Sequence, residues 1–372
     1  DYDLSLYVKK TKEETGYPHA YRVTWVKGRA DKVLSIAKVF EDAGVQKGMT
    51  IALQSMNKDV LKAIKRRNID GGKLQQFIEM YESENIGSYV ELIWGLPEET
   101  IETFKDGIMQ ILNYGYHNYL DIHLMMMLPN APIASKKYIT EELNVDTVEF
   151  VTETNSFSRE EWIEGHQYRW LIIFGHYLGP LQFISRSLNK IYNIPFRDFY
   201  DKVINFGKAN KNSFIGKQYY QIKNNLDLVL QNKRFWGGIV EGVGDINWNV
   251  DESTCIELAN GNKDKFYDEI EKFILTTSPQ IDPQILNDII CYQRHRLSDP
   301  HETYPQRKHF QFNIHDVVEN GCTLLKEPNM IIFDAKNYNS DIFSWAKEVI
   351  WFGRRVGKYK TSARRCDEST NS

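Results

Sequence analysis

The chain has 372 residues, of which 42% are hydrophobic and 13% aromatic. This length and composition exclude a largely disordered chain and suffice for one large or two medium domains with a buried core. The formal net charge of −4 is small for such a chain, which argues against a nucleic acid or an anionic membrane as the partner of the whole surface.

Short apolar segments alternate with amphipathic ones along the first third of the chain. Helices are predicted over about 4–15, 30–43, 58–67, 72–84 and 100–113, and strands over 20–27, 50–56, 88–94 and 119–128. Strands that alternate with helices of this length predict right-handed βαβ crossovers and a parallel sheet. We therefore expect an α/β fold in which residues 1–135 form a partial TIM-like (β/α) barrel with parallel strands.

Polar side chains recur on one face of these predicted strands, since successive residues of a strand point to opposite sides. The positions on this less apolar face are Arg22 and Thr24, Ala52 and Gln54, Glu91 and Ile93, and Asp121 and His123. Buried polar groups are costly unless they are hydrogen-bonded or line a cavity. We predict a ligand-lined interior. The alternative is a buried hydrogen-bond network that fills the barrel.

The next segments differ in composition. Residues 136–158 are polar and rich in Glu and Thr, and we interpret them as a connector. Residues 159–365 are predicted as a mainly helical α+β C-terminal domain with helix breaks near Pro195 and Gly207. Residues 366–372 are predicted as a disordered tail.

Within the C-terminal domain, the longest apolar run covers 170–184 and is interrupted by His176, Gly179-Pro180 and Gln182. It falls short of the roughly 20 residues that span a bilayer, so we predict a buried helix that breaks near Pro180. Core packing is the favoured explanation for the histidines and aromatic residues of this region. The alternative is that His176 or Tyr177 caps the barrel mouth.

The end of the chain changes character again. Residues 309–314 alternate like a strand and could pair with 329–333, followed by a helix over about 340–352 and a short segment over 357–361. The last part is basic and aromatic: Trp351, Phe352, Arg354-Arg355, Lys358, Tyr359, Lys360 and Arg364-Arg365. We interpret it as an edge strand and a solvated tail and not as a site for nucleic acid or an anionic substrate.

The four cysteines, Cys255, Cys291, Cys322 and Cys366, are far apart along the chain. No two of them have the close spacing of a zinc or redox pair, and a disulfide framework is not expected. The start, Asp1-Tyr-Asp-Leu, lacks the basic residues and apolar core of a signal peptide. These features favour a reducing, cytoplasmic setting.

The run Glu-Leu-Ile-Trp-Gly-Leu-Pro-Glu at 91–98 resembles the GxIxGxxE motif on the fifth barrel strand of the radical S-adenosylmethionine (SAM) superfamily. Ile93, Gly95 and Glu98 match this motif, and Glu91 replaces its leading glycine. The segment 54–66 is similar to the fourth-strand region of the cobalamin-binding members. Residues 345–355 are similar to the C-terminal domain of the same enzymes. The order of these motifs along the chain strengthens the resemblance.

The resemblance implies a set of cofactor contacts. The residues that would contact SAM are Arg22, Lys27, Gln54, Asn57, Ile93, Gly95, Glu98 and Pro129. Among them, Arg22 or Lys27 would pair with the methionyl carboxylate, and Glu98 is the motif acid, with helix capping as its alternative role. The side chains that would face a small-molecule substrate are Glu91, Asp121, His123, His176 and Tyr177.

The chain departs from this superfamily in one large respect. It has no CxxxCxxC loop for a [4Fe–4S] cluster, and it begins on a predicted helix without an initiator Met. We therefore expect the C-terminal portion of a longer radical SAM enzyme, a methyltransferase or a related radical-transfer enzyme, that is inactive alone. The cluster ligands, and a cobalamin-binding domain if cobalamin is used, would lie outside this chain. No metal ligands are assigned within it, and neither a nucleic acid nor a membrane is expected as a partner.

Two alternatives remain open from the sequence. One is a (β/α) barrel acid–base enzyme in which Glu91, Asp121 and His123 are the working groups. The other is a barrel without a cluster that serves as a non-catalytic binding module.

Overall fold

The computed structural model describes residues 1–21, 23, 30–45, 48–68, 71–84, 86–128, 139–145, 148–231, 233, 238 and 240–366. Helices and strands alternate in its first part, as predicted from hydrophobic periodicity. These elements are α1 (Tyr2–Thr15), α2 (Ala30–Asp42), β1 (Met49–Gln54), α3 (Lys58–Ala63), α4 (Gly71–Ser83), β2 (Ser88–Trp94), α5 (Ile101–Asn113) and β3 (Leu120–Leu124). Most of the strand predicted over 20–27 lies outside the described residues.

The three strands form a parallel sheet in the order β1-β2-β3. Glu91 pairs with Asp121 and Ile93 with His123, so these residues lie on the same face of the sheet. The register shifts by a bulge between Ala52 and Gln54 at the end of β1. The parallel sheet and its polar face are thus confirmed, whereas closure into a TIM-like barrel remains a prediction.

Residues 136–158 contain more structure than the predicted connector. They include an antiparallel hairpin of β4 (Ile139–Val145) and β5 (Val148–Thr154). This hairpin lies at the carboxyl end of β3, where the Val151 amide donates to the oxygen of Met125 at 3.0 Å. The polar residues of β5 hid its buried apolar pair, Phe150 and Val151, from the sequence pattern.

The rest of the chain is mainly helical, as predicted. Its elements are α6 (Arg159–Leu171), α7 (Gln182–Tyr192), α8 (Phe196–Ala209), α9 (Phe214–Leu230), α10 (Val250–Ala259), α11 (Lys263–Thr277), α12 (Pro283–His295), β6 (Gln306–Phe310), α13 (Ile314–Asn320), β7 (Asn329–Asp334), α14 (Ile342–Trp345) and β8 (Ser362–Arg365). The break at Pro195 is confirmed. The predicted break at Gly207 is wrong, because α8 continues to Ala209. A glycine is present at 207 because a Cβ atom there would lie too close to Ile215.

The apolar run at 170–184 bends where it was expected to bend. After α6, the π-helical turn Ile172–Tyr177 leads through Gly179 and Pro180 into α7. These residues are buried, which confirms a broken core helix. Among the described helices, none combines the length and the apolar character needed to cross a membrane.

A second sheet, antiparallel in the order β6-β7-β8, confirms the predicted pairing of the strands near 309 and 329. The basic end of the chain supplies β8, after the 3₁₀ turn Arg354–Val356. One continuous hydrophobic core extends from Ala37 to Tyr359 and includes residues of both predicted domains. The domain boundaries near 135 and 159 remain predictions.

Candidate active site at the carboxyl ends of the parallel strands

The carboxyl ends of β1 and β2 are joined by a hydrogen bond between side chains. Ser55, directly after β1, donates from Oγ to Oε1 of Glu99 at 2.9 Å. The backbone bends sharply at both strand ends, with φ of 71° at Gln54 and 100° at Gly95. Parallel α/β sheets bind their ligands at this edge. We call the edge formed by Gln54, Ser55, Gly95 and Glu99 the rim, and we regard it as the candidate active site.

Glu99 is the buried acid of the rim, with 1% of its surface exposed. Burial raises the pKa of its carboxyl to about 8, although the hydrogen bond from Ser55 opposes that shift. The backbone of Leu96 and Gly95 also favours the ionised form. Oε2 nevertheless makes no hydrogen bond of ordinary geometry within the described residues. Glu99 is therefore protonated near neutral pH and retains unused hydrogen-bonding capacity.

Glu98, the residue matched to the motif acid, is placed differently. It is exposed and has a φ of 65°, in the left-handed region where glycine is favoured. It does not cap the following helix, because Thr100 is the N-cap of α5 and accepts from the Thr103 amide. Glu99 is thus the glutamate that extends into the rim, and the cofactor contact of Glu98 remains a prediction.

The other predicted cofactor contacts that the structure describes lie along this edge. Gln54, Ile93 and Gly95 are at the ends of β1 and β2, with Gln54 and Ile93 half-buried. Oδ1 of Asn57 accepts hydrogen bonds from the amides of Asp59 and Val60, so it caps α3. The structural role of Asn57 is therefore established, whereas its cofactor contact remains a prediction. Arg22, Lys27 and Pro129 lie outside the described residues.

The predicted substrate side chains of the sheet come together below the rim. Nε2 of His123 is 3.7 Å from Oε1 of Glu91, and Nδ1 is 4.0 Å from Oδ1 of Asp121. The contact with Glu91 raises the pKa of His123, against the effect of burial. Burial would raise the pKa of Asp121, but His123 and Arg355 outweigh it and hold that pKa below its usual value. We call these three residues the polar wall.

Arg355 is a member of this region that the sequence did not predict. Its Nη2 lies 2.8 Å from Oδ2 of Asp121, and its guanidinium lies over the ring of Tyr89 at 4.3 Å. The neighbouring Arg354 lies 3.2 Å from Glu252, whose pKa burial raises to about 7. The interpretation of 354–355 as solvated tail is wrong, since both side chains are largely buried.

His176 and Tyr177 lie at the opposite end of the sheet. Nε2 of His176 is 3.0 Å from Nδ1 of His117, which precedes β3. Tyr177 packs near Tyr116, whose hydroxyl donates to the oxygen of Ser88 at the start of β2. These two residues therefore lie away from the rim, and the substrate contact proposed for them remains a prediction. They are core residues near the amino ends of the strands, and burial holds the pKa of His176 well below its usual value.

The described residues do not supply a metal site. They contain no group of three or more His, Cys, Asp and Glu side chains placed to hold a metal ion. The cysteines are free and differ in exposure, with Cys255 buried and Cys322 exposed. A [4Fe–4S] cluster therefore does not fit the residues that the structure describes.

Comparison with known proteins identifies relatives, although no family model matches the chain. The chain is 26% identical over 333 residues to the cobalamin-dependent radical SAM methyltransferase TokK of Streptomyces tokunonensis, covering 81% of this chain and 48% of that protein. It is 30% identical over 241 residues to the 2-(S-pantetheinyl)-carbapenam-3-carboxylate methyltransferase of Streptantibioticus cattleyicolor, covering 60% of this chain and 35% of that protein. The chain spans about half or less of the length of these curated relatives. The homology and the ordered motifs agree, and these relatives confirm the resemblance of the chain to the cobalamin-binding radical SAM enzymes.

Proposed function

We propose that the chain is the C-terminal portion of a cobalamin-dependent radical SAM methyltransferase that acts on a small molecule. Homology to two methyltransferases over most of the chain supports the reaction class. The proposed location of the SAM site rests on one observation at the rim: a hydrogen bond from Ser55 to Glu99 joins the ends of two parallel strands. We place the SAM site at this edge.

The rim residues fit such a ligand. Glu99 offers a buried carboxyl with an unused oxygen, and the half-buried Gln54 directly precedes its hydrogen-bond partner Ser55. A protonated carboxyl both donates and accepts hydrogen bonds, which suits the polar edge of an adenosyl group. When bound, SAM would supply a methyl group or, on reductive cleavage, a 5′-deoxyadenosyl radical. The polar wall below the rim would bind and orient the methyl acceptor.

The remaining cofactors require residues beyond those described. Because the described residues do not form a metal site, we place the cluster ligands upstream in a longer polypeptide, together with the cobalamin-binding domain. We further propose that this chain is inactive without them.

The test is to sequence the genomic region before Asp1 and to express the whole reading frame. We expect CxxxCxxC upstream and, after reconstitution with iron and sulfide, formation of 5′-deoxyadenosine from SAM. Calorimetry with SAM alone should show binding that Glu99→Ala weakens at least tenfold and that Glu98→Gln, at the exposed neighbouring position, leaves unchanged. A full-length protein that has no three such cysteines and binds no SAM would contradict the proposal.

A second function is favoured by one observation. His123 lies between two carboxylates, and 46% of its side chain is exposed, an arrangement that general acid–base catalysis uses. A (β/α) acid–base enzyme would need neither iron nor sulfide, so elemental analysis of the full-length protein distinguishes it from a radical SAM enzyme. SAM binding without any turnover would instead indicate a binding module.

A further inference from the structure

The 3₁₀ turn Arg354–Val356 crosses the amino ends of β1 and β2 at very short range. A Cβ atom at Gly87 would lie 2.8 Å from Cγ1 of Val356, and one at Gly48 would lie 3.1 Å from the oxygen of Arg355. Real Cβ atoms do not approach other atoms this closely without displacement. The two glycines thus admit the turn, which we call the C-terminal turn, against the polar face of the sheet.

The docked turn completes a row of alternating charge. Arg355 contacts Oδ2 of Asp121 at 2.8 Å, and the other oxygen of this carboxylate is 4.0 Å from Nδ1 of His123. The second ring nitrogen of His123 is 3.7 Å from Glu91. Arg355 and His123 therefore share one carboxylate, with a different oxygen facing each of them.

We propose that Arg355 is a positioning residue for His123: it holds one oxygen of Asp121, so that the other fixes Nδ1 and directs Nε2 towards Glu91. The proposal rests on the proposed function only in placing a small-molecule substrate against this polar wall. Arg355 also weakens the attraction between Asp121 and a protonated His123. A carboxylate paired with a guanidinium attracts a second cation less strongly. The orientation and protonation of a side chain in the site thus depend on the C-terminal turn.

The charged groups around His123 come from four elements. They are Glu91 on β2, Asp121 on β3, Arg169 on α6, which lowers the pKa of His123, and Arg355 on the C-terminal turn. If Arg355 acts through Asp121, its removal lets that carboxylate turn fully towards His123. The imidazolium then becomes more stable, and the pKa of His123 rises.

The test is a pH titration of the full chain with ¹³Cε1-labelled histidine, followed by NMR, with the His123 signal assigned from His123→Gln. We expect Arg355→Met to raise the pKa of His123 by about 0.5–1 unit and Arg355→Lys to restore most of the wild-type value. Arg365→Met is the matched control, because Arg365 pairs with Asp316 and Glu327 elsewhere on the chain. It should leave His123 unchanged.

A second comparison separates action through Asp121 from a direct field effect. Asp121→Asn should lower the pKa of His123, and in that background Arg355→Met should add almost no shift. An unchanged pKa in Arg355→Met, or a shift that persists in the Asp121→Asn background, overturns the proposal. If Arg355→Met does not fold, an unaltered pKa of His123 in the Asp121→Asn variant overturns the proposal equally. These readouts need neither SAM nor a cluster, so they hold or fail independently of the proposed reaction.

Discussion

The indole of Trp94, at the end of β2, packs directly on Gly165 in the middle of α6. Nε1 of Trp94 donates to the oxygen of Trp162 at 3.2 Å, one turn earlier in the same helix. Trp94 also packs against Phe104 and Phe157, with ring centroids 4.6 and 5.1 Å away. The strand that carries the rim is therefore held directly by the first helix of the C-terminal part.

Gly165→Ala should destabilise the protein although alanine is the better helix former. Its methyl group would overlap the Trp94 indole, and overpacking of this kind costs about 1–3 kcal/mol. The control is Gly107→Ala in α5, where the nearest atom to the added Cβ is Cβ of Met56 at 3.3 Å, a contact that a shift of a few tenths of an ångström relieves. Urea unfolding followed by tryptophan fluorescence measures both. Equal losses of unfolding free energy would contradict the assigned role of Gly165.

Glu99→Gln should remove a pH dependence of stability. The folded-state pKa of Glu99 is about 8, against 4.5 for a free carboxyl. Because the folded state holds the proton more tightly, the stabilising contribution is complete below 4.5 and is lost as the pH rises through 8. Across this window the wild type should lose up to about 1.4 kcal/mol per pH unit relative to Glu99→Gln.

The measurement is denaturant unfolding at pH 5, 7 and 9. Glu98→Gln is the control, since Glu98 is the exposed neighbour. It should follow the wild type at every pH. Parallel stability curves for the wild type and Glu99→Gln would show that Glu99 ionises normally.

Gly95→Ala should cost more stability than Gly115→Ala. Both positions have positive φ, 100° and 82°, where an alanine is strained by about 1–2 kcal/mol. At Gly95 the new Cβ would also lie 3.3 Å from Cβ of Met125, whereas nothing lies within 4 Å at Gly115. Thermal and urea unfolding measure the loss of stability in each variant. The difference between the two losses is the packing contribution at the rim. A larger loss at Gly115 would contradict it.

Arg169→Met should be among the most destabilising single substitutions in the chain. Nε of Arg169 donates to the oxygen of Ile122 on β3 at 2.5 Å, and Nη1 is 3.3 Å from Asp251, of which only 1% is exposed. The substitution leaves that carboxylate buried without its cation, at a cost of about 3–5 kcal/mol.

Arg197→Met is the matched comparison for Arg169→Met. Arg197 pairs with Glu102, Asp106 and Asp201, whose side chains are 64%, 73% and 36% exposed. Losing such pairs costs about 1 kcal/mol or less. Similar unfolding free energies for the two variants would show that the Arg169 pair is not buried in solution.

Local pattern predicted the sheet well. β2 lies at 88–94, as expected. An apolar run that contains β-branched residues and is bounded by turn residues indicates where a strand begins and ends. The polar face was also predictable, since strand periodicity alone places Glu91, Asp121 and His123 on one side. These features depend on residues that are close in sequence.

The missed features depend on contacts between distant residues or on backbone angles. Choosing between Glu98 and Glu99 requires the turn geometry, in which residue 98 takes a φ of 65°. The role of Arg355 requires the fold, which brings it to Asp121 across 234 positions. The position of His176 near the amino ends of the strands also depends on the fold, because its helical spacing does not reveal which end of the sheet it faces.

The C-terminal turn lies at the amino-end side of the polar wall and contacts it through Arg355. In the part of the chain that the structure describes, it closes the amino ends of β1 and β2 through Gly48 and Gly87. Under the proposed function, a methyl acceptor bound against Glu91 and His123 would therefore be shielded from the amino ends of these two strands.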